Sequence, residues 1–565
     1  MKYAFFFAII LVLSFVSGGN AFALQLGLVQ DFSVSKDYDL LERTQIKAEL
    51  VKETSQMYFY ADTVWWNELS SSRKSEVSSS MASLAQEFER AIRPTLVSAF
   101  GSEWNPGIDG DPKIIVLLQE MKKGFVGYVR NEDSFLKFVF PGSNEREMIY
   151  FSAEQIESSL AKSFLAHEFV HLITINQKTK LRGVIEETWL DEARAEYAPT
   201  LLGYDTNFEG SNLKARLGDF LRNPSDSVLE WQGEQSDYGS ISMFIHYLVD
   251  HYGVGVLIDS LRSDLVGIPS LNEALKKNGF DVDFRKVFTD WTIAAFLNDC
   301  SYGKTYCYLN QNLENFKLSP SLNFLPLVGK STLQVTNSVK NWSPRWMKFL
   351  GGQGVLQFSV KGQPGQKFVV PYLAEKSEGG YTLDFLAFDG NKDAAVFLSD
   401  FGTQIRSLII IPSLQTKTIG FEGNELSYLF SFTVSILDRT PQEEEALILQ
   451  LLEQVDILKK EIARVQAQLY ALTGSASCGA FDSNLYFGIS NKGEVQCLQQ
   501  FLRDLGQDVY PEGLTTGVFG QLTFNAVVRF QEKYASEILL PVGLQKGTGY
   551  VGSRTRSKIN ELRGF

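Results

Sequence analysis

The segment Phe164–Gln177, FLAHEFVHLITINQ, holds two of the four histidines of a 565-residue chain, with a glutamate directly after the first. His167 and His171 are spaced i, i+4. On a helix that spacing puts both imidazoles on one face, one turn apart, where they can bind one zinc ion. Glu168 can then address a water at the metal rather than the metal itself. This is the H-E-x-x-H arrangement, in which the glutamate acts as general base. Phe164, Leu165, Phe169, Val170 and Leu172 are apolar, and neither Pro nor Gly interrupts the run, so the segment reads as a helix. Two histidines satisfied within a core are the competing account.

A catalytic zinc site takes three protein ligands and keeps a fourth position open. Gln177 stands where the metzincin pattern would place a third histidine. His246 and His251 lie far downstream and stay in play. The better candidate is the segment Glu186–Thr200, EETWLDEARAEYAPT. Read as a helix, it puts Glu192 and Glu196 on one face. One carboxylate can bind the metal. The other can accept the N–H of a metal-bound histidine and fix its tautomer. Trp189, Leu190, Ala193 and Tyr197 are placed to pack this segment on the first helix.

HEFVH followed downstream by WLDEARAEY resembles the gluzincins, the thermolysin and aminopeptidase N type of zinc metallopeptidase. The likeness covers roughly residues 110–300. With the β-rich segment that follows, the chain is most similar to the hyicolysin-like family. The resemblance implies an α+β zincin fold, one Zn²⁺, Glu192 as the third ligand and Glu196 as the carboxylate behind a histidine. In gluzincins a Tyr or His on a later helix steadies the oxyanion. That role falls to Tyr238, at the start of the helix-like SDYGSISMFIHYLVDHYG, with His246 as competitor. The exopeptidase motif G-x-M-x-N is absent ahead of HEFVH, which favours an endopeptidase.

A chain this long exceeds one hydrophobic core and reads as several units. Residues 1–23, MKYAFFFAIILVLSFVSGGNAFA, read as a cleaved signal peptide, with Lys2, an apolar run and a small-x-small end. Cys300 with Cys307, and Cys478 with Cys497, are expected as local disulfides of an oxidising compartment. The balance of 66 Asp+Glu against 53 Lys+Arg offers no basic face for nucleic acid. Residues 24–315 show strands first and helices after, an α+β catalytic unit. Within it Met148–Ser152 is expected as an edge strand lining the cleft. Asp109 and Asp111 read as a turn, with Ca²⁺ the lesser reading. Residues 316–440 read as an all-β sandwich-like domain, a small sandwich or barrel. In residues 441–474, Ile448, Leu451, Val455, Leu458, Ile462, Val465, Leu469 and Leu472 form a heptad seam. The seam implies a rigid helical spacer or a homo-oligomeric coiled coil, the alternative being a helix folded back on a neighbour.

Residues 475–565 form a last small unit with an internal echo, TGVFGQLT and TGYVGSRT. Thr523 and Thr555, at the ends of these echoes, are expected to cap the helices that follow. Gly517, Phe519, Gly520, Thr523, Ala526, Val527, Phe530 and Gln531 fit the pattern of the small three-helix peptidoglycan-binding domain. That resemblance implies attachment to cell wall.

The expectation is a secreted, wall-associated zinc metalloendopeptidase acting on polypeptides. One alternative is a hydrolase of the peptide part of peptidoglycan. The other is a non-catalytic surface binding or adhesion protein on a protease scaffold.

Overall fold

The computed structural model describes residues 25–327, 329–362, 365–389, 393–421, 423–437, 454–462, 464–465, 478–489 and 491–565. The signal-like segment 1–23 lies outside the described residues, and so does most of the 441–474 spacer, including Ile448, Leu451, Leu469 and Leu472. The chain divides into two compact units.

The first unit runs to Phe316 and includes Lys340–Pro344 and Leu414–Ser427. Its sheet has six strands: β1 (Val29–Ser33), β2 (Gln45–Glu53), β3 (Met57–Asp62), β4 (Ile114–Gln119), β5 (Gly127–Tyr128) and β6 (Met148–Ser152). Their spatial order is β1-β2-β3-β4-β6-β5. β3, β4 and β6 are parallel, and every residue in them is buried. Near-continuous apolar runs such as IIVLLQ are what a parallel strand covered on both faces requires. β2 instead alternates exposed and buried positions, as an outer antiparallel strand does.

Among the described residues ten α-helices complete this unit: α1 (Thr63–Glu68), α2 (Ser71–Glu87), α3 (Arg93–Phe100), α4 (Ala161–Thr174), α5 (Thr188–Leu201), α6 (Asn212–Arg222), α7 (Gln235–Tyr252), α8 (Gly255–Leu261), α9 (Gly267–Lys277) and α10 (Phe284–Leu297). One sheet face buries Phe32, Leu50, Tyr60, Leu117 and Tyr150 in a common core. On the helical side Phe88 packs edge-on against Phe169 of α4, their centroids 4.9 Å apart. The two segments from beyond Phe316 are bound in by Trp342. Its ring lies 4.9 Å from Phe284 and 5.2 Å from Phe288, and its Nε1 donates to Lys417 O. Cys300 and Cys307 form a disulfide.

Met148–Ser152 is not an edge strand. β6 lies between β4 and β5, so the edge position belongs to β5, where Gly127 pairs with Phe151 and Tyr128 with Tyr150. Asp109 and Asp111 are held by separate partners. Arg146 Nη1 meets Asp109 at 2.6 Å, and the Tyr58 hydroxyl donates to Asp111 at 3.0 Å. Beside them Glu147 is buried and accepts from Ile108 N. Burial, with Asp109 nearby, pushes the Glu147 carboxyl from 4.5 up to about 7. A raised folded pKa gives stability that is present below the unfolded value and lost as pH rises through the folded one. Glu147→Gln is therefore expected to flatten the fall in stability between pH 4.5 and about 7. At about pH 8 it should gain about 1–3 kcal/mol. Denaturant melts at several pH values measure both.

The second unit contains Lys317–Val339, Arg345–Ser413 and Tyr428–Phe565. Nine strands between Ser321 and Leu437 lie on one hydrogen-bonded sheet. A small sandwich or barrel is expected from the alternation. The sheet branches at Ile405–Ile410, which pairs with both Pro371–Lys376 and Met347–Leu350. The sheet curls, and the alternating faces of Gly354–Lys361 and Tyr428–Leu437 bury Phe358, Phe430 and Phe432 with Phe349. Part of the heptad seam is helical, α11 (454–462). Its Val455 and Leu458 line an apolar cavity of about 100 Å³ together with Phe324, Leu325 and Leu350.

The C-terminal helices are α12 (Lys492–Asp504), α13 (Gln521–Lys533), α14 (Ala535–Ile538) and α15 (Ser553–Arg563). They share a core of Leu498, Leu502, Phe519, Val527, Phe530 and Ile559, and Cys478 is bonded to Cys497. The echo threonines do not cap. Gly520 and Gly552 hold the N-cap positions of α13 and α15, and Thr523 and Thr555 are buried one turn inside. Each accepts from a glutamine of the preceding repeat: Gln499 Nε2 donates to Thr523 at 2.8 Å, and Gln531 Nε2 to Thr555 at 3.0 Å. The amide oxygens of the same glutamines accept from Gly517 N and from Gly549 N. Gln531→Met would leave the Thr548 and Gly549 N–H groups without their acceptor. It is expected to destabilise this domain by about 2–3 kcal/mol, read as a lower denaturant midpoint.

Candidate metal centre

α4 and α5 pack against each other. α4 buries Leu165, Phe169, Val170 and Leu172, and α5 buries Trp189, Leu190 and Ala193. The polar faces left over therefore meet each other. Among the described residues, one group of three is arranged to hold a metal ion: His167, His171 and Glu192, whose ligand atoms lie within 4.8 Å of one another. Glu192 Oε2 is 3.2 Å from His167 Nε2 and 3.8 Å from His171 Nε2. The other ring nitrogens face carboxylates. His167 Nδ1 is 3.3 Å from Glu196 Oε1, and His171 Nδ1 is 2.9 Å from Asp191 Oδ2. A carboxylate facing Nδ1 accepts the ring N–H there, which favours the tautomer whose Nε2 lone pair faces inward.

Three electron-pair donors thus converge on one point. Glu192 Oε2 is buried without a hydrogen bond of normal geometry, and so is Glu168 Oε2. A cation at the convergence point satisfies this arrangement. Two imidazoles and a carboxylate are the donor set of a three-ligand zinc site. The residues present therefore fit zinc.

Glu168 is buried beside the pair, and burial pushes its carboxyl up to about 7 against the pull of His167 and His171. It is flanked by the edge strand. A Cβ at Gly127 would stand 2.8 Å from Glu168 Oε1, so any larger residue at that point of β5 would push the Glu168 carboxylate aside.

Glu196 is the most heavily bonded carboxylate of the site. Arg216 of α6 grips it with two hydrogen bonds, Nε to Oε2 at 2.9 Å and Nη2 to Oε1 at 2.8 Å. Asn212 Nδ2 and the Ser242 hydroxyl also donate to it. Burial alone would raise the Glu196 carboxyl, yet Arg216 and His167 hold it well below the usual carboxylate range.

Tyr238 enters from α7. Its ring centroid is 6.4 Å from that of His167, and the Arg216 guanidinium lies over the ring at 4.4 Å. His246 is elsewhere. Its Nε2 meets Thr200 Oγ1 at 2.8 Å and its Nδ1 meets Ser242 O at 2.7 Å, so both ring nitrogens are engaged. His251 Nε2 meets Cys307 O. Gln177 donates to Ser102 O.

Sequence reasoning missed Asp191, Asn212, Arg216, Ser242, Gly127 and Tyr38. The adjacency of Asp191 to Glu192 was a usable signal; the others come from distant elements. Tyr38 stacks on Tyr128 at 4.4 Å and meets Phe125 edge-on at 4.8 Å. Burial and the nearby Glu192 and Glu168 carboxylates push its hydroxyl pKa up.

Residues 491–559 match the family described as "Putative peptidoglycan binding domain". The C-terminal segment is thus a peptidoglycan-binding domain, which with the two disulfides accords with cell-wall association. No curated protein matches the chain. Among solved structures the chain has slight likeness to PliG of Aeromonas hydrophila, a periplasmic inhibitor of g-type lysozyme. That match has a TM-score of 0.15 and 13% identity, over 21% of this chain and 100% of that one. A second is BtGH115A, a family GH115 4-O-methyl-α-glucuronidase with specificity for decorated arabinogalactans. Its TM-score is 0.12 at 9% identity, over 57% of this chain and 51% of that one.

Proposed function

We propose that the chain is a secreted, wall-associated zinc metalloendopeptidase of the gluzincin type, most similar to the hyicolysin-like family. One observation carries the reading: His167 Nε2, His171 Nε2 and Glu192 Oε2 converge, while Glu196 and Asp191 back the two rings. Bound zinc supplies a lowered water pKa and polarises a substrate carbonyl. His167, His171 and Glu192 would hold it. Glu168 takes a proton from the attacking water and delivers it to the leaving amine nitrogen. The Tyr238 hydroxyl donates to the developing oxyanion. Glu196 and Asp191 keep the imidazoles in one tautomer and one orientation. An extended polypeptide adds to the β5 edge, beside Glu168 and Tyr38.

A second reading, cleavage of peptidoglycan stem peptides, draws support from the wall-binding domain in the same chain. The test is zinc stoichiometry on the mature protein, with unfolded casein and purified peptidoglycan as substrates and chelated protein as control. Casein cleavage with about one zinc per chain, lost on chelation, is expected. Release of wall peptides without casein cleavage would move the substrate to peptidoglycan. Absence of zinc would overturn both readings.

A further inference from the structure

The peptidoglycan-binding domain repeats a short motif ahead of its three long helices. Tyr486-Phe487-Gly488, Val518-Phe519-Gly520 and Tyr550-Val551-Gly552 recur at equal spacing. The fold brings these three tips together. Leu485 and Val551 exchange backbone hydrogen bonds, and Gly488 N donates to Phe519 O. The middle residues of the second and third tips, Phe519 and Val551, are fully buried and belong to the core. The first residues face outward: Tyr486 is 48% exposed, Val518 64% and Tyr550 42%. Phe487 adds a ring at 57%. Tyr486 and Tyr550 lie nearly parallel, centroids 6.0 Å apart and planes 22° apart. A Cβ at Gly552 would stand 3.0 Å from Tyr550 Cε1, so the glycine lets that ring lie flat against the chain.

None of these four side chains belongs to the domain's core cluster. Clustered exposed apolar side chains mark a binding surface. We propose that the three tips form the ligand face of the domain, and that Tyr486 and Tyr550 stack on sugar rings of the glycan strand. The inference rests on the peptidoglycan-binding reading of this domain. Pyranose rings present a C–H face that packs on an aromatic ring, and a tyrosine adds a hydroxyl for the sugar's polar edge. Tyr486, Phe487, Val518 and Tyr550 carry no charge, which suits sugar faces better than carboxylate-bearing stem peptides.

The experiment is co-sedimentation of the full mature chain with purified peptidoglycan sacculi. The protein carries Glu168→Gln, so that the wall stays intact. Soluble peptide-free glycan strands and free stem peptides serve as competitors. Tyr486→Ala and Tyr550→Ala are each expected to weaken binding about tenfold. Tyr486→Phe and Tyr550→Phe should keep it within about twofold, and glycan strands should compete where stem peptides do not. Val518→Asp, at an exposed position outside the core, should also weaken binding and guards against an alanine variant that unfolds. Alanine variants that sediment like the parent would overturn the ligand face and leave wall binding standing. Competition by stem peptides alone would overturn the sugar assignment. A parent chain that does not sediment at all would overturn wall binding itself, and this inference with it.

Discussion

Glu168→Gln is expected to leave about one zinc bound per chain and to lower peptide-bond hydrolysis by about 10²–10⁴-fold. The carboxyl is buried, 3% exposed, and its Oε2 has no hydrogen-bond partner. It lies outside the group arranged so that it could hold a metal ion, His167, His171 and Glu192. Glutamine has the same shape and fits the same space beside Gly127, but it cannot take a proton from water. The ligand set is untouched, so metal content and folding should not move. Glu192→Ala makes the contrasting variant. It removes one of three ligands and should lose both zinc and activity. Metal analysis and casein cleavage on the two variants separate the roles. Retained activity in Glu168→Gln would assign the base to another group.

Arg216→Met should destabilise the first unit by about 3–5 kcal/mol. Glu196 is 2% exposed, and Arg216 holds it with two short hydrogen bonds. Removing the guanidinium strands an ionised carboxylate in the interior, with Asn212, Ser242 and His167 left to solvate it. Protonation would relieve the charge, but the carboxyl then no longer accepts the His167 Nδ1 proton as an anion. Glu196→Gln with Arg216→Met removes both charges and should recover part of the loss, as coupled sites in a double-mutant cycle do. Denaturant unfolding of the four proteins measures the coupling. An unchanged midpoint in Arg216→Met would mean that the pair is not buried as described.

Much of the site was legible because its elements are local. The i, i+4 spacings of His167 with His171 and of Glu192 with Glu196 need only a helix, and α4 and α5 supply one each. The division of labour between Glu192 and Glu196 was not local. A single imidazole lies between them, 3.2 Å from one and 3.3 Å from the other through different nitrogens. That geometry depends on how α5 crosses α4. The edge position is not legible in the sequence for a related reason. MIYFS has the composition of any buried strand, and only the return of Gly127–Tyr128 alongside it decides which of the two lies at the edge. The echo threonines show the same limit. Threonine at a helix start is a good cap by propensity, but Gln499 and Gln531 engage Thr523 and Thr555 from the neighbouring helix, and a glycine takes the cap.

The sequence by itself determined the helix faces, the donor types and the identity of the C-terminal domain, because each is written in residues a few positions apart. The tertiary structure decided which ring nitrogen faces inward, that Asp191 and Arg216 support the site, that Trp342 belongs to the first unit, and that two tyrosines far apart in the chain stand side by side. Those facts depend on contacts between distant segments, set by which apolar surfaces bury one another rather than by any local periodicity.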